Sequence, residues 1–362
     1  MKAAVCYDFG EPLRVVDVHL DPPQKGEVKI RMVATAICHS DVHFVRGEWK
    51  APLPLVVGHE SAGIVEEVGD GVTLTKPGDK VVVSLLKNCG RCFYCTMGLP
   101  YECSGEFALS TFSGNSRLHD MQGQALHHAM GTATFAEYAI VDQSQVVQVP
   151  DDFPLDRAAL LACGVITGLG AAVNTAQVTP GSSVVVIGAG GVGLNAIQGA
   201  LLSGANPIVA LDTLDSKLEA ARIFGATHGI KASADDVKKT IRGLTGGRGA
   251  DYVLVTVGST AALSQGLTLL RPAGTLVMVG LPKAGSTIPL PVEPLVWYNY
   301  KILGSNMGST KLSVDVPRLI DLYTQGRLKL DELITGHYPL ERINEAIEVM
   351  ERGAALRNVI MF

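Results

Sequence analysis

The pattern of apolar residues changes after Cys163, and this change constrains the fold more than any other feature of the sequence. From residue 184 onward, short apolar runs such as VVVI alternate with helical stretches such as SKLEAARIF. Strands that alternate with helices form βαβ units, which build a parallel sheet covered by helices. Before Cys163 the chain carries β-branched runs that are separated by Gly, Pro and Asp turns, and one of these runs, FAEYAIVDQSQVVQV (135–149), is predicted to be strand. The sequence therefore predicts an α/β protein with a mostly β domain and a doubly wound parallel sheet.

A chain of 362 residues is longer than one hydrophobic core usually supports, so two domains are expected. The C-terminal segment is mixed, with one helix predicted over 313–326, another over 340–355 and a closing strand in RNVIMF. We expect this segment to return to the first domain, so that the parallel sheet is an inserted unit. The predicted boundaries are 1–163 and 304–362 for the first domain and 164–303 for the inserted one.

Composition excludes several classes of protein. Hydrophobic residues make up 47% of the chain and charged residues 18%, which excludes a disordered chain. The net charge is −5 without a run of like charges, so a nucleic-acid partner is not expected. The stretch 184–211 lacks charge and is long enough to span a membrane, but its glycines and Pro207 favour a buried strand-turn-helix-strand. Because the first residues contain no apolar signal region, we expect a cytoplasmic protein without a membrane partner, in which thiols stay reduced.

Four cysteines are crowded into the stretch NCGRCFYCTMGLPYEC, as Cys89, Cys92, Cys95 and Cys103. Four thiolates at this spacing can close a tetrahedral zinc shell, and a closed shell has no position for a substrate. The spacing therefore predicts a structural zinc. An iron–sulfur cluster also uses four cysteines, and a zinc ribbon for nucleic acid is a second alternative that the acidic balance argues against.

A glycine-rich turn follows the apolar strand VVVI, with Gly188, Gly190 and Gly193 in the G-x-G-x-x-G pattern. A helix follows the turn, which also includes Gly191 and Val192, and Asp212 ends the next strand. This arrangement is typical of a dinucleotide site, in which the helix N-terminus binds a pyrophosphate and the acid binds the adenosine ribose. A carboxylate at Asp212 would repel a 2′-phosphate, so NAD is favoured over NADP. The alternative is a glycine-rich packing turn with an incidental acid.

Cys38, His59 and Cys163 are far apart in sequence but would form an open zinc site of two sulfurs and one imidazole if the fold gathered them. Their spacing alone does not establish such a site, because scattered Cys and His residues are more often part of a core.

Five motifs resemble the zinc-dependent alcohol dehydrogenases of the medium-chain dehydrogenase/reductase family. They are CHSDVH, GHESAGIVEEVG, the four-cysteine loop, GAGGVG and AALRNVIMF, which occur in the family's order over essentially the whole chain. The resemblance implies a GroES-like catalytic domain, a Rossmann coenzyme domain and an active site in the cleft between them. It also implies NAD, one catalytic and one structural zinc per chain, and a homodimer, with a tetramer as the alternative.

The resemblance further implies roles for individual residues. Cys38, His59 and Cys163 match the catalytic zinc ligands, Glu60 matches a glutamate near that zinc, and Asp41 matches the carboxylate that orients the ligand histidine. Ser40 and His43 match a relay that carries the alcohol proton through a ribose hydroxyl to solvent. The residues that match cofactor contacts are His39, Lys217 and Arg357. Without the resemblance, Ser40 would be read as a helix cap and His43 as a solvated loop residue.

By the same resemblance the substrate channel is lined by Trp49, Leu85, Ala129 and Met130. These apolar side chains favour a medium-sized or aromatic primary or secondary alcohol, which is oxidised reversibly to an aldehyde or ketone. One alternative is the dehydrogenase of S-(hydroxymethyl)glutathione, although the segment CSGEFALS has no arginine to bind that anion. A non-enzymatic alternative is a zinc-stapled nucleotide-binding sensor.

Overall fold

The computed structural model describes residues 1–362, which divide into two compact units. The first unit consists of Met1–Cys163 and Lys311–Phe362, and the second of Gly164–Thr310. The first unit is therefore discontinuous in sequence.

The strands are, in chain order, β1 Lys2–Cys6, β2 Arg14–Leu20, β3 Glu27–Ala36, β4 Leu55–Val56, β5 Glu60–Val68, β6 Lys80–Val83, β7 Leu118–Asp120, β8 Ala125–His128, β9 Tyr138–Asp142, β10 Val146–Gln148, β11 Val184–Ile187, β12 Ile208–Asp212, β13 His228–Lys231, β14 Ala250–Val255, β15 Leu270–Met278, β16 Lys301–Gly304, β17 Ile334–Pro339 and β18 Arg357–Met361.

The α-helices are α1 His39–Val45, α2 Phe93–Thr96, α3 Leu155–Leu160, α4 Gly164–Gly170, α5 Gly191–Leu202, α6 Asp215–Ile223, α7 Val237–Leu244, α8 Thr260–Leu269, α9 Val292–Trp297, α10 Leu312–Thr324 and α11 Ile343–Glu351. Short 3-10 turns occupy Pro100–Glu102, Ala129–Gly131, Gln143–Gln145, Asn306–Ser309, Asp331–Leu333 and Leu340–Arg342, and a π-helical turn occupies Ala171–Thr175.

The first unit is mostly β. Strands β1, β2, β7, β8 and β4 close into a small barrel, and a seven-stranded sheet runs in the order β10-β6-β5-β3-β18-β17 with β9 also paired to β3. Valines and other apolar residues of β3, β5, β6 and β9 form one core cluster, because alternate side chains of a strand face the same side. Strand β18 comes from the end of the chain and pairs with β3, where Val359 lies opposite Ala36.

The second unit is a six-stranded sheet in the order β13-β12-β11-β14-β15-β16, and every pair in it is parallel. All four residues of β11 are buried, as expected for a parallel sheet covered on both faces. The uncharged stretch 184–211 forms β11, α5 and most of β12, and no helix in the chain has both the length and the apolar character that crossing a bilayer requires. The predicted fold class is confirmed.

Several element limits differ from the sequence prediction. The run 135–149 was expected to be strand throughout, but it divides into β9 and β10 at the 3-10 turn Gln143–Gln145. Asp142 causes this break, since its carboxylate accepts hydrogen bonds from the backbone N–H and the hydroxyl of Ser144. The helix predicted over 340–355 is regular only over α11, because a 3-10 turn precedes it and Gly353 adopts a φ of 72° after it.

Candidate metal centres and coenzyme site

Cys38, His59 and Cys163 converge within the first unit. Cys38 precedes α1, His59 precedes β5, and Cys163 follows α3 at the end of the unit's first segment. The ligand atoms of the three residues lie within 4.8 Å of one another. All three residues are buried, so any ion that they bind is shielded from bulk water. We call this group the three-ligand cluster.

Asp41 lies behind His59 and fixes its imidazole. One carboxylate oxygen accepts hydrogen bonds from His59 Nδ1 and from the Gly58 N–H, both at 2.9 Å. The other oxygen accepts from the Cys38 N–H at 3.2 Å. Because an ionised carboxylate only accepts, the hydrogen of the neutral imidazole resides on Nδ1 and the lone pair on Nε2.

Nε2 of His59 is fully buried and has no hydrogen-bond partner. A buried polar atom without a partner is costly, and such atoms are rare in folded proteins. A metal bound by Nε2 and the two sulfurs would remove this cost. The donor set matches the three protein ligands of an open zinc site, and the Asp41–His59 pair matches the carboxylate that such histidines generally need.

The thiols of this cluster influence each other's ionisation. A hydrogen bond from Cys163 holds the pKa of Cys38 well below its ordinary value, although burial opposes the change. The same hydrogen bond, together with burial, raises the pKa of Cys163. For His59, burial lowers the pKa, but the negative charges of Asp41 and Cys38 outweigh burial, and the net direction is upward.

Glu60 and Arg357 form a buried ion pair beside the cluster, with Arg357 Nη2 2.9 Å from Glu60 Oε1. Arg357 also donates to the carbonyl of Ile37 at 3.2 Å, next to Cys38 in sequence. Both of these hydrogen-bond partners of Arg357 lie in the first unit. Its predicted contact with a pyrophosphate stays a prediction, as does an approach of Glu60 to the metal.

The predicted relay residues lie on α1. Ser40 is half-buried in the first turn and is not a helix cap, since the N-cap position belongs to Cys38. His43 is half-buried in the last turn, and its Nδ1 lies 2.5 Å from Glu48 Oε2. His39 is exposed at the first helical position. The sequence analysis missed Glu48, because a residue five positions from a histidine has no periodic relation to it on a helix.

Three of the four predicted pocket residues share one apolar environment. Trp49 and Met130 pack against the core cluster that contains Ala129, whereas Leu85 is half-buried and is not part of that cluster. Met130 adopts a left-handed conformation with a φ of 53°, and its N–H donates to Thr111 Oγ1 at 2.7 Å. Thr111 thus supports the backbone of Met130, a role that the sequence analysis did not predict.

The four cysteines of the loop also come together, with their sulfur atoms within 4.8 Å of one another. Backbone N–H groups of Cys89 and Gly105 donate hydrogen bonds to Cys103 Sγ at 3.2 and 3.3 Å, which fixes the position of this sulfur. Gly105 is required here, because a Cβ atom would lie 2.8 Å from Cys89 Cβ and 3.0 Å from its sulfur. This four-cysteine cluster offers four sulfur ligands and therefore fits a closed structural zinc site.

The glycine turn of the second unit connects β11 to α5. A Cβ atom on Gly193 would lie 1.7 Å from the carbonyl oxygen of Gly188, so the tight turn requires glycine there. A Cβ atom on Gly190 would meet nothing within 4 Å, so the space above Gly190 is open to a ligand at the start of α5. Gly191 and Val192 form the first turn of α5.

Asp212 at the end of β12 closes the other side of the turn. Its Oδ2 accepts a hydrogen bond from the Ala189 N–H at 2.7 Å, and its Oδ1 accepts from the Leu214 N–H at 3.0 Å. Lys217, in the first turn of α6, is buried, and burial lowers its pKa while the charge of Asp212 opposes the change. Asp212 and Lys217 are thus electrostatically linked beside the turn.

Comparison with known proteins identifies the family. The model of the alcohol dehydrogenase GroES-like domain matches residues 24–151, and that of the zinc-binding dehydrogenases matches residues 191–325. The chain is 39% identical to the NDMA-dependent alcohol dehydrogenase of Amycolatopsis methanolica, over 99% of this chain and 98% of that protein. It is 36% identical to alcohol dehydrogenase 1 of Trifolium repens, over 99% and 96% of the two chains.

The chain belongs to the zinc-dependent alcohol dehydrogenases of the medium-chain dehydrogenase/reductase family. A solved relative within this family is benzyl alcohol dehydrogenase from Acinetobacter calcoaceticus, with a TM-score of 0.93 and 35% identity over 100% of this chain and 99% of that one. Membership confirms the predicted family and implies zinc and a nicotinamide cofactor. In an alcohol dehydrogenase, an open three-ligand cluster fits a catalytic zinc, whereas a separate closed four-cysteine cluster fits a structural zinc.

Proposed function

We propose that this alcohol dehydrogenase transfers hydride reversibly between a medium-sized or aromatic primary or secondary alcohol and NAD. The observation that carries the proposal is the convergence of Cys38, His59 and Cys163, together with the unpartnered Nε2 atom of His59. An open three-ligand site suits a substrate oxygen as the fourth ligand, whereas a purely structural site would be closed.

Zinc held by these three residues would supply a Lewis acid that lowers the pKa of an alcohol toward neutrality. NAD would supply the hydride acceptor. The residues of this chain perform the remaining tasks. Asp41 keeps the lone pair of His59 on Nε2, Ser40 accepts the alcohol proton, and His43 delivers it toward solvent.

The preference for NAD rests on Asp212. Its carboxylate lies at the end of β12 and accepts two backbone hydrogen bonds, so it is held in place beside the glycine turn. A fixed negative charge there repels a 2′-phosphate and accepts hydrogen bonds from a ribose diol. We expect NADP to be a poor coenzyme for this reason.

The proposed substrate class rests on the apolar environment shared by Trp49, Ala129 and Met130. A structural relative named benzyl alcohol dehydrogenase supports an aromatic alcohol. S-(hydroxymethyl)glutathione is the alternative substrate, and a non-catalytic nucleotide sensor is the alternative from another class.

We further propose a homodimer, with a tetramer as the alternative. Strand β16 lies at the outer edge of the parallel sheet, and α9 precedes it with three largely exposed side chains: Val292, Val296 and Trp297 are 65%, 71% and 76% exposed. An open sheet edge beside an apolar surface is a common site of self-association.

The test combines activity with metal content. The purified protein is assayed for NADH absorbance with benzyl, cinnamyl and short aliphatic alcohols and with S-(hydroxymethyl)glutathione, in NAD and in NADP. Zinc is counted per chain, and the mass in solution is measured. We expect turnover of aromatic alcohols with NAD and zinc in both clusters. A silent panel with zinc only in the four-cysteine cluster would support the sensor instead.

One additional assay tests how the coenzyme is reoxidised. A relative is named for its dependence on NDMA. If this chain retains its coenzyme, alcohol oxidation will stop after one turnover unless NDMA is added to reoxidise the bound NADH, whereas an exchangeable coenzyme gives continuous NADH formation without NDMA.

A further inference from the structure

The imidazole of His43 is held at its edge by a carboxylate. His43 Nδ1 lies 2.5 Å from Glu48 Oε2, and the two side chains are 23% and 24% exposed. A hydrogen bond to a carboxylate is stronger when it is mostly shielded from water than when it lies on the open surface. The contact therefore restrains the histidine more than an exposed pair would.

An aromatic ring holds the face of the same imidazole. The rings of His43 and Trp49 are stacked, with centroids 4.7 Å apart and an interplanar angle of 26°. Phe44 packs edge-on against Trp49 at 5.4 Å. The backbone N–H groups of Glu48 and Trp49 both donate to the carbonyl of His43, at 2.9 and 3.2 Å. The turn after α1 thus places both Glu48 and Trp49 against His43 on the helix.

This arrangement determines which nitrogen can receive a proton. An ionised carboxylate only accepts hydrogen bonds, so Nδ1 of the neutral His43 carries the hydrogen. Nε2 then has the lone pair. When Nε2 gains a proton, Nδ1–H of the imidazolium still faces the carboxylate of Glu48.

The nearest cation in sequence forms its hydrogen bonds with a different carboxylate, although the charge of Glu48 also acts on it. Arg46, at the end of α1, forms a two-pronged ion pair with Glu351 of α11 at 2.8 and 3.1 Å. Lys50, on the other side of Glu48, is exposed. Near His43 the chain thus places Glu48 in direct contact, and the ion pair of Arg46 with Glu351 close to Glu48.

We propose that Glu48 is a positioning residue for proton transfer, which holds His43 with Nε2 ready to accept the proton released from the alcohol. In the step, the O–H bond of the hydroxyl group that passes on the proton breaks and the Nε2–H bond forms. Nδ1 keeps its own hydrogen, which remains hydrogen-bonded to Glu48. The proton then leaves Nε2 for solvent. This inference rests on the proposed function, which assigns the relay to His43.

The test uses the full-length zinc-loaded enzyme and the variants Glu48→Ala, Glu48→Gln, His43→Gln and the double variant H43Q/E48A. Glu351→Gln is the matched control, because it removes a neighbouring carboxylate that does not contact His43. Single-turnover NADH formation is measured with benzyl alcohol, since slow coenzyme release can conceal the chemical steps. The KM, the zinc content, the thermal midpoint and the effect of added imidazole buffer are recorded for each variant.

We expect E48A to slow hydride formation about tenfold, a fraction of the roughly 100-fold that a proton-transfer group contributes. The KM should stay within about twofold, and added imidazole should restore the rate of H43Q, which has lost the base, more than the rate of E48A, which retains it. E48Q should be intermediate, because an amide can donate as well as accept and no longer enforces one tautomer. Since E48Q has nearly the same size, it serves as the informative variant if E48A does not fold.

The double variant separates positioning from a structural role. If Glu48 acts through His43, E48A will not slow the H43Q enzyme further. An equal slowing in both backgrounds, or unchanged rates in E48A and E48Q, would overturn the inference. A wild-type enzyme that forms no NADH with any alcohol would instead overturn the proposed function, and the inference with it.

Discussion

The carboxylate of Asp41 is bonded to the imidazole of His59 at 2.9 Å, and both side chains are completely excluded from solvent. The same carboxylate accepts the N–H groups of Gly58 and Cys38, so one side chain organises the backbone on both sides of the metal cluster. This relationship leads to the first of five predictions.

Asp41→Ala should weaken zinc binding at the three-ligand cluster by about 10–100-fold, the usual effect of removing the carboxylate behind a ligand histidine. Competition with a chelator, followed by the return of activity on adding zinc, measures the effect. Asp79→Asn is the control, because Asp79 is also buried in the same unit but accepts from Thr75 and Lys76. If both variants bind zinc alike, Asp41 has no special role.

Cys38→Ser should remove the zinc of the three-ligand cluster and abolish turnover while coenzyme binding remains. The reason is that Cys38 belongs to the first unit, whereas the glycine turn belongs to the second. Calorimetric titration with NAD checks the coenzyme and elemental analysis the metal. Cys6→Ser is the matched control, since Cys6 is also a buried thiol but lies outside both clusters. Joint loss of folding and NAD binding in Cys38→Ser would contradict the assignment.

Cys95→Ser should cost stability and one zinc ion without removing the zinc of the three-ligand cluster. Breaking a closed four-sulfur site would remove the metal cross-link that holds the loop 89–103 together. A loss of about 2 kcal/mol would lower the thermal midpoint by roughly 5 °C. The experiment compares the midpoint and the zinc content with those of the wild type. An unchanged midpoint would argue against a structural role for the loop metal.

Asp212→Gly should reduce the preference for NAD over NADP by about tenfold or more, because the charge that repels a 2′-phosphate is gone. The ratio of kcat/KM for the two coenzymes is the measurement. Asp212→Asn tests the charge alone, as the amide oxygen can still accept from Ala189. Asp215→Asn is the control, since that carboxylate pairs with Lys231. Equal coenzyme ratios in all four proteins would exclude a role for Asp212.

His128 should make the protein less stable as the pH falls below 6.5. Burial, reinforced by the positive charge of Arg117, lowers its pKa from 6.5 to about 3. The unfolded chain therefore binds a proton that the folded chain does not, and stability decreases by about 1.4 kcal/mol per pH unit as the pH falls from 6.5 toward 3. Urea unfolding at pH 7, 6 and 5 checks this slope.

His128→Gln should flatten that part of the pH dependence, because glutamine does not titrate. His19→Gln, at an exposed position, should leave it unchanged. The opposite order of the two slopes would show that another group causes the acid sensitivity.

The sequence predicted the fold wherever a local pattern had a physical cause. The turn from β11 to α5 requires glycine at 188 and 193 for steric reasons, so its signature is visible in the chain itself. The four-cysteine loop is equally local. The three-ligand cluster was different, because its members are brought together only by the pairing of β3 with β5 and by α3. Only the resemblance to a known family suggested that they meet.

The residues that sequence reasoning missed are those whose roles depend on a side-chain rotamer or a turn. Glu48 reaches His43 because the turn after α1 folds back on the helix, and Thr111 supports Met130 from a loop. Neither relation leaves a periodic trace. The division of 135–149 into two strands likewise depended on the capping behaviour of Asp142, which competes with β propensity.

The position of β18 in the sheet has a consequence for biosynthesis. This strand flanks β3, and its Arg357 bonds to the carbonyl of Ile37 beside the first metal ligand. A nascent chain that already contains Cys38, His59 and Cys163 but not yet β18 has neither the flanking strand nor the arginine. The enclosed metal pocket can therefore be completed only after β18 has emerged from the ribosome.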